Sequence, residues 1–277
     1  MPLSRVDAHV HFWRYTPEEY PWLDEPLRAL RRDFLPADLE PELKARGVSG
    51  VVAVQARQSL LETEWLLELQ QQSSSVLGVV GWVDLRTDDV SSVLGRFPSL
   101  CGVRHIAQGE APGFLLNREF SRGIAALTAR DLAYDLLIYE NQLSEAAELV
   151  DRHPQQRFVL DHLAKPRIAA RELSSWASAL RRLAQRPNVW LKISGLVTEA
   201  DWATWTPNDL EPYLNVALEA FGPERAMCGS DHPVCLAAAS YERVQAVVSS
   251  FIARLTESEQ AQILAQNAIS FYKLRPR

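Results

Sequence analysis

Short apolar runs alternate with longer stretches of helical spacing along this chain, and this alternation constrains the fold more than any other feature. Each run is rich in Val, Ile, Leu or aromatic residues and is bounded by Gly, Pro, Asp or Asn. The eight runs cover residues 5–10, 51–55, 77–83, 101–106, 133–139, 157–161, 188–194 and 225–229. Because strands that alternate with helices pair in parallel, the pattern predicts an α/β fold with a parallel sheet.

Two of the intervening stretches show helical periodicity clearly. Leu61, Trp65 and Leu69 follow one another at intervals of one helical turn. A second apolar stripe has the offsets 0, 3, 4, 7, 8 and 11 and consists of Val244, Val247, Val248, Phe251, Ile252 and Leu255. Eight strand and helix pairs within 277 residues match the size and rhythm of a (β/α)8 TIM barrel.

An open, doubly wound sheet is the alternative to a barrel. It is disfavoured because no G-x-G-x-x-G or G-x-x-x-x-G-K-[ST] loop follows the first run, where a nucleotide-binding sheet exposes backbone amides to phosphate. No low-complexity linker divides the sequence. We therefore expect residues 1–277 to form a single barrel domain.

Composition narrows the partners and the compartment. The chain has 29 Lys and Arg against 35 Asp and Glu, and the net charge of −6 without a basic stripe argues against nucleic acid as a partner. No apolar run approaches the ~20 residues of a membrane helix, and the start, Met-Pro-Leu-Ser, begins no apolar segment. Three scattered cysteines fit a reducing compartment. We expect a cytoplasmic protein with no membrane association, and the sequence is silent on its oligomeric state.

Three histidines and one aspartate fall at the ends of predicted strands. His9 and His11 end the first run, and because residues i and i+2 of a strand point the same way, both are expected to face the barrel mouth. His162 follows the sixth run and Asp231 the eighth, so the four side chains share the face that carries barrel active sites. Imidazoles can bind Zn²⁺ or polarise a carbonyl while a carboxylate takes a proton from water. The set predicts a hydrolytic site.

Nine motifs along the chain match one family in order. They are VDAHVHFWR, FLPADL, VVAVQARQS, GVVGWVDLR, GVRHIAQ, YDLLIY, FVLDHLAKP, LKISGLVTEADW and MCGSDHPVC. With these motifs the chain resembles the sugar-lactone lactonase branch of the amidohydrolase superfamily, in particular bacterial L-fuconolactone hydrolases, from about residue 5 to about residue 245. The resemblance implies an amidohydrolase-type (β/α)8 barrel that hydrolyses an aldonolactone to its aldonic acid, in L-fucose catabolism.

The resemblance also implies a role for each residue of the cluster. It puts the hydrolytic base on Asp231, which would deprotonate the attacking water and pass the proton to the ring oxygen as it leaves. His9, His11 and His162 would surround the reacting carbonyl or a metal. Charge on the carbonyl oxygen would be stabilised by the histidines, by Zn²⁺ or by Arg104, and a structural ion pair is the alternative role of Arg104.

The sequence leaves the need for a metal open. Two metals are not expected, because the fourth run offers Arg104 and His105 where binuclear relatives carry a bridging Lys or Glu. One Zn²⁺ held by the three histidines and Asp231 fits the ligand types. The branch also contains lactonases that work without a metal, with histidines polarising the carbonyl. No organic cofactor is implied.

Further residues near the strand ends are expected to bind the substrate, a small neutral sugar lactone such as L-fuconolactone or another six-carbon lactone. Their side chains can hydrogen-bond sugar hydroxyls or stack on a sugar ring, and packing is the alternative for each. They are Trp13, Gln55, Arg57, Trp82, His105, Tyr139, Trp202 and His232. The Pro-rich and aromatic segment 12–36 follows the first run, where a long loop opens on the face of the site.

Two positions depart from the family pattern. His232 stands where relatives have Trp after Gly-Ser-Asp, and Glu140 and Asn141 stand where many have Pro and Arg. These departures put the choice of lactone in doubt but not the barrel. Two other functions stay open: a zinc-dependent amidohydrolase or decarboxylase acting on another small carboxylated substrate, and a barrel that binds a sugar acid without turnover. The free carboxylate of Asp231 argues against the second.

Overall fold

The structure, a computed structural model, describes residues 5–275 and contains eight parallel strands in that range. The strands are β1 (Val6–Val10), β2 (Gly50–Val54), β3 (Val76–Gly81), β4 (Gly102–Ile106), β5 (Ala133–Leu137), β6 (Phe158–Leu160), β7 (Val189–Ile193) and β8 (Ala226–Cys228). Each strand pairs with the one that follows it in sequence. Nearly every strand residue is buried, as parallel strands covered on both faces require. The eight predicted strands are confirmed.

The barrel closes between β8 and β1 at the carboxyl ends of these strands. The backbone N–H of Asp231 donates to the carbonyl oxygen of His9 at 2.9 Å, and the N–H of His11 donates to the carbonyl oxygen of His232 at 2.6 Å. The predicted (β/α)8 architecture is therefore confirmed over the open sheet. The pairing of β1 with β2 shifts by one residue between Asp7 and Val10, so the strand is irregular beside His9.

Helices cover the outside of the barrel and bury their apolar faces against the strands. Within residues 5–275 the α-helices are α1 (Pro36–Ala45), α2 (Leu60–Gln72), α3 (Val90–Gly95), α4 (Arg118–Ala129), α5 (Leu143–Arg152), α6 (Ser174–Ala184), α7 (Leu196–Glu199), α8 (Pro207–Phe221), α9 (Tyr241–Ile252), α10 (Glu257–Ala261) and α11 (Asn267–Tyr272). The predicted apolar stripe lies on α9, where Val244, Val248 and Ile252 are buried. None of the helices in this range is long and apolar enough to cross a membrane.

Helix α2 forms where predicted, and Leu69 of the predicted stripe is buried while Trp65 packs against the core, but the buried face is rotated away from Leu61. Leu61 is 69% exposed, whereas Leu66 is fully buried. Thr63 is buried as well, because its hydroxyl donates to the carbonyl of Trp82 at 2.8 Å and accepts the N–H of Trp82 at 2.9 Å. Glu62 accepts backbone N–H groups of the loop after β2. These polar contacts, which apolar periodicity does not register, set the rotation of the helix.

Helix α11 closes the opposite end of the barrel. Phe271 and Tyr272 belong to one apolar cluster with Val6, Val52 and Ala133, which lie near the starts of their strands. The amino-terminal end of the barrel is therefore a packed floor, and the open mouth lies at the carboxyl end.

Residues 12–36 form a small core of their own beside the mouth. Trp13 and Phe34 pair their backbones in an antiparallel bridge, with N–H to oxygen distances of 3.0 and 2.9 Å. Their rings pack in a cluster with Tyr20, Leu23 and Leu30. This packing fixes the loop above β1 and β2 and places its tip at the rim of the mouth.

Candidate active site

The structure brings the carboxylate of Asp231 together with three histidines at the bottom of the barrel mouth. Its Oδ1 atom lies 3.3 Å from Nε2 of His11, 3.7 Å from Nε2 of His9 and 3.9 Å from Nε2 of His162. All four side chains are buried. Side chains from the ends of β1, β6 and β8 thus converge on one point, as the position of each on its strand end predicts.

The ionisation of the cluster follows from its surroundings. Burial alone would raise the pKa of Asp231, but His162, a hydrogen bond from His11 and the nearby His9 hold that pKa well below its ordinary value. Burial lowers the pKa of His162 to about 4. Burial and the neighbouring Lys192 lower the pKa of His9 far below its usual range. Near neutral pH the site therefore holds an ionised carboxylate beside the neutral imidazoles of His9 and His162.

Each of two histidines has its ring nitrogens held by definite neighbours. Nδ1 of His11 lies 2.8 Å from the carbonyl oxygen of Val54, which only accepts, so Nδ1 carries a proton. Nε2 of His9 lies 3.2 Å from a guanidinium nitrogen of Arg104 and Nδ1 lies 3.2 Å from the ammonium of Lys192, so a donor group faces each nitrogen of this ring. The two Nε2 atoms are 3.1 Å apart. Together with Oδ1 of Asp231 these nitrogens place three polar atoms around one point.

Such a group suits a metal cation. In a tetrahedral zinc site with bonds of 2.0–2.1 Å the ligand atoms lie about 3.3 Å apart. The ligand atoms of His9, His162 and Asp231 all lie within 4.8 Å of one another. The Nδ1 atom of His162 lies 2.8 Å from the hydroxyl of Ser194, which orients the ring in the way that metal-binding imidazoles are oriented. The residues present therefore fit a single metal ion, although the guanidinium of Arg104 also contacts Nε2 of His9.

His162 reaches the site on an unusual turn of left-handed backbone. His162, Leu163, Ala164 and Lys165 have φ values of 53°, 55°, 58° and 50°. Non-glycine residues avoid this region at roughly 1–2 kcal/mol each, so the turn must be held by its contacts. The indole N–H of Trp176 donates to the carbonyl of Leu163 at 2.7 Å, and the N–H of Lys165 donates to the carbonyl of His162 at 2.7 Å.

Gly195, two residues after the end of β7, leaves room for the ring of His162. A Cβ atom at this position would lie 2.5 Å from Nδ1 and 2.7 Å from Cγ of that ring. Its φ of +67° also favours glycine. The absence of a side chain at residue 195 is therefore a condition for the position of His162.

Arg104 lies inside the barrel, and its N–H groups are directed at protein acceptors. Nε and Nη2 donate to Oε1 of Gln55 at 3.1 and 2.8 Å, and Nη2 also donates to the carbonyl of Gln55. Nη1 lies 3.1 Å from Oδ2 of Asp161 and 3.2 Å from Nε2 of His9. This geometry matches the ion-pair role considered for Arg104. Gln55 contacts the site only indirectly, by accepting hydrogen bonds from Arg104. Its own Nε2 atom is buried without a hydrogen-bond partner.

A column of buried charges continues below the site, and sequence analysis missed it. Nζ of Lys192 lies 3.2 Å from Nδ1 of His9, 3.1 Å from Oδ1 of Asp161 and 2.5 Å from Oδ2 of Asp135. The hydroxyl of Tyr272 donates to Asp135 at 2.8 Å. Although burial opposes ionisation, Lys192, His9 and Arg104 hold the pKa of Asp161 well below its ordinary value. The signal in the sequence is a charged residue inside each of two apolar strands, AYDLL and VWLKI.

A cavity of about 410 Å³ opens above the cluster. His11, Arg104, His162 and Asp231 lie in its lining. Few large aromatic side chains in residues 5–275 are more than a third exposed. Three that are, Trp22, Tyr139 and Trp202, all line this cavity. Larger cavities of about 530 and 710 Å³ lie between α8 and α9 and near the floor of the barrel, and neither contains the cluster.

Of the residues predicted to bind substrate, Tyr139 and Trp202 line this cavity. Trp13 does not, because it is buried in the 12–36 loop, where its indole N–H donates to the carbonyl of Arg32 at 2.8 Å. Arg57 turns away to Glu19 at 2.7 Å and lines a separate, smaller cavity.

Trp82, His105 and His232 also lie away from the cavity lining. His105 follows Arg104 in β4 and so points to the outer side of the barrel, where its ring stacks on Phe114 with centroids 4.7 Å apart. The indole of Trp82 donates to His105 at 3.3 Å. The ring of His232 packs edge-on against Phe34 at 5.6 Å, although its backbone closes the barrel beside Asp231.

The barrel and its histidine-aspartate cluster are those of an amidohydrolase, and the chain belongs to the amidohydrolase family, whose sequence profile matches residues 6–274. A protein of Burkholderia multivorans named L-fucono-1,5-lactonase is 42% identical over 99% of this chain and 97% of its own length. Another of that name from Burkholderia ambifaria is 38% identical over 83% of this chain and 80% of its own length. The predicted family is therefore confirmed.

A solved structure supports the same assignment. An amidohydrolase from Burkholderia multivorans with bound zinc is 41% identical and has a TM-score of 0.95, with 98% of this chain and 99% of that chain covered. The two barrels therefore agree over almost their whole length.

Proposed function

We propose that this protein is a lactonase that opens a sugar lactone, L-fuconolactone or a related six-carbon lactone, to the open-chain acid. The observation that carries the proposal is the ionised Asp231 carboxylate, buried among three histidines under a cavity with aromatic walls. The names of the two relatives that are 38% and 42% identical support the same chemistry. They also support a role in the breakdown of L-fucose or a similar sugar.

Asp231 is the general base in this proposal. The carboxylate accepts a proton from a water molecule, whose oxygen attacks the lactone carbonyl and gives a tetrahedral intermediate. Because the pKa of Asp231 is held below its ordinary value, the carboxylate is ready to act without first losing a proton. The protonated Asp231 then gives the proton to the ring oxygen as the carbon–oxygen bond breaks. One carboxylate thus serves both steps, and it is restored at the end.

The intermediate carries a negative charge on the former carbonyl oxygen, and the surroundings of Asp231 are suited to it. The cationic side chains of Arg104 and Lys192 lie directly behind His9, at 3.2 Å from its two ring nitrogens. Both cations are paired with buried carboxylates, Arg104 with Asp161 and Lys192 with Asp161 and Asp135, so they act on the mouth through the N–H groups that they direct at His9 rather than through a net charge. Arg104 acts here as a positioning residue, because its N–H groups are engaged with Gln55, Asp161 and His9.

We also propose that the cluster holds one divalent metal ion, zinc in the first instance. His9, His11, His162 and Asp231 would hold it, and the amidohydrolase with bound zinc supports this choice. A bound Zn²⁺ polarises a carbonyl oxygen as a Lewis acid and lowers the pKa of bound water.

The cavity supports a sugar rather than a larger substrate. Its volume of about 410 Å³ is near the lower end of the range for small-molecule sites. Trp22, Tyr139 and Trp202 present ring faces that can cover the C–H surface of a sugar ring. The two other functions considered, an amidohydrolase or decarboxylase acting on another carboxylated substrate and a barrel that binds without turnover, are not favoured, because the relatives of highest identity named above are lactonases.

The experiment that tests the proposal measures acid release from a panel of sugar lactones with a pH indicator, after subtraction of spontaneous hydrolysis. We expect the wild type to be active on at least one six-carbon aldonolactone, and Asp231→Asn to lower the rate by about 10²- to 10⁴-fold. Asp88→Asn, at an exposed residue paired with Arg122, is the matched control and should behave as wild type. Equal rates for wild type and Asp231→Asn across the panel would reject the proposal.

A further inference from the structure

We propose that Lys165 and Glu199 form a subsite that recognises a ring hydroxyl of the substrate and selects uncharged sugar lactones over lactones that carry a carboxylate. The inference rests on the proposed function and extends it from the reacting group to the rest of the substrate. Both residues line the cavity above Asp231.

The left-handed turn after β6 presents Lys165 to the cavity. Lys165 is the fourth residue of this turn and lies three positions after His162, and both side chains line the cavity. The strained backbone that brings His162 to the site therefore also brings Lys165. Pro166 follows directly, and its ring favours an extended rather than a right-handed helical conformation at the residue before it.

Glu199 lies opposite, at the end of the short helix α7. Its Oε1 atom is 3.8 Å from Nζ of Lys165, and the two side chains are 20% and 21% exposed. This separation is longer than a hydrogen bond, so the ammonium and the carboxylate attract each other without using their donor and acceptor positions on each other. Nζ of Lys165 also lies 5.6 Å from the centre of the Tyr139 ring.

A donor and an acceptor at this spacing match the chemistry of a hydroxyl group. A hydroxyl oxygen accepts a hydrogen bond from the ammonium and donates one to the carboxylate at the same time. A methyl group there would leave the ammonium and the carboxylate with only their long ion pair and without a hydrogen-bond partner in a partly buried site, which disfavours such a substrate.

A carboxylate on the substrate would be rejected by the same pair. It can accept from Lys165, but it cannot donate to Glu199, and its charge adds to those of Glu199, Asp231 and Glu140, which already interact. Arg104, the other permanent cation in the cavity lining of the described chain, is engaged with Gln55 and Asp161. Apart from Lys165, whose charge Glu199 balances, the cavity lining of the described residues therefore offers a substrate carboxylate no cationic side chain that is free of protein partners.

The test compares three kinds of substrate: a neutral six-carbon aldonolactone, its analogues with one hydroxyl replaced by hydrogen at each ring position, and a lactone of the same ring size with a carboxylate. The kcat and KM values are measured for wild type, Lys165→Met and Glu199→Gln. Lys273→Met and Glu219→Gln are the matched controls, because Lys273 pairs with Asp131 at the floor of the barrel and Glu219 pairs with Arg181 on its outer surface.

We expect removal of one particular hydroxyl to lower kcat/KM of the wild type about 10- to 100-fold. Lys165→Met should show a similar loss on the parent lactone and no further loss on that one analogue, since a shared contact can be lost only once. Glu199→Gln should raise the rate on the carboxylate-bearing lactone relative to the neutral one. The control variants should keep the wild-type pattern.

The outcomes separate this inference from the proposed function. One outcome would overturn the subsite and leave the lactonase intact. In it, the wild type is active on neutral lactones, and each of the two variants lowers kcat/KM by the same factor for every substrate. Wild-type inactivity on every lactone would reject both. If Lys165→Met does not fold, Glu199→Gln decides the question alone, because the amide keeps the size of the carboxylate. The ratio of its rates on two substrates does not depend on the amount of active protein.

Discussion

The Nε2 atoms of His9 and His11 lie 3.1 Å apart, and both lie within 3.7 Å of Oδ1 of Asp231. Electronegative atoms at these distances repel one another unless a proton or a cation lies between them. The Oδ1 atom of Asp231, 3.3 Å from the second of these nitrogens, adds a negative charge at the same point. The arrangement therefore attracts a cation to the bottom of the mouth.

We expect the purified protein to bind about one divalent ion per chain, and the expected ion is zinc. Removal of the ion with a chelator should lower the melting temperature, because a ligand that binds only the folded state stabilises it. Elemental analysis and thermal unfolding measure both effects. His162→Gln should lower the metal content, whereas His153→Gln, at a histidine of α5's carboxyl end outside the cluster, should leave it unchanged. Metal content that is equal in these two variants would contradict the assigned ligands.

Gly195→Ala should damage activity more than stability. The new Cβ atom would lie 2.5 Å from Nδ1 of His162, so the ring must move from its place beside Ser194. A displacement of about 1 Å at a catalytic group can cost ~10²-fold in rate, and we expect a fall of this order in kcat/KM.

Gly47→Ala separates this clash from backbone strain. Gly47 has a φ of +63°, close to the +67° of Gly195, but a Cβ atom there meets nothing within 4 Å. It should lose about 1 kcal/mol of stability and no activity. Equal activity losses in the two alanine variants would show that strain, and not the position of His162, is responsible.

Glu62 should make the stability of the protein depend on pH. Its carboxylate is buried and accepts the N–H groups of Ala56 and Arg57 beside β2. Burial raises its pKa to about 7 from an ordinary value of 4.5. The folded state therefore binds the proton more tightly than the unfolded state, so this contribution to stability is complete below about pH 4.5 and is lost as the pH rises through 7.

Glu62→Gln removes this titration. Between pH 5 and pH 8, the free energy of unfolding should fall by up to about 3 kcal/mol more in the wild type than in Glu62→Gln. Urea unfolding at a series of pH values measures the difference, in which the other titrating groups cancel. Glu64→Gln, on the same helix and in an exposed ion pair with Arg96, should follow the wild type. Parallel curves for wild type and Glu62→Gln would contradict the prediction.

The strands were predictable from sequence because each is an apolar run that is buried on both faces. The rotation of α2 was not predictable in this way, because Thr63 and Glu62 are polar and their burial depends on partners at Trp82, directly after β3, and in the loop after β2. Apolar periodicity predicts which apolar side chains are buried. It does not predict the burial of a polar side chain whose hydrogen-bond partner is distant in sequence.

The cluster was predictable in part. His9 and His11 follow from the two-residue repeat of a strand, and the position of Asp231 follows from the strand end before it. The turn at residues 162–165 has no local signal, because its left-handed backbone is imposed by tertiary contacts such as the one from Trp176. Trp13 was expected near substrate from its position, but the loop that contains it folds into a small core.

The buried column from Tyr272 through Asp135 and Lys192 to His9 joins the floor of the barrel to its reacting end. A change of charge at the bottom of such a column alters the electrostatic potential at its top, because little water lies between them to screen it. The last helix therefore contributes to reactivity without approaching the substrate. Redesign of that helix for stability alone, for example by exchanging the phenol of Tyr272 for a plain phenyl ring, would retune the chemistry from the far side of the molecule.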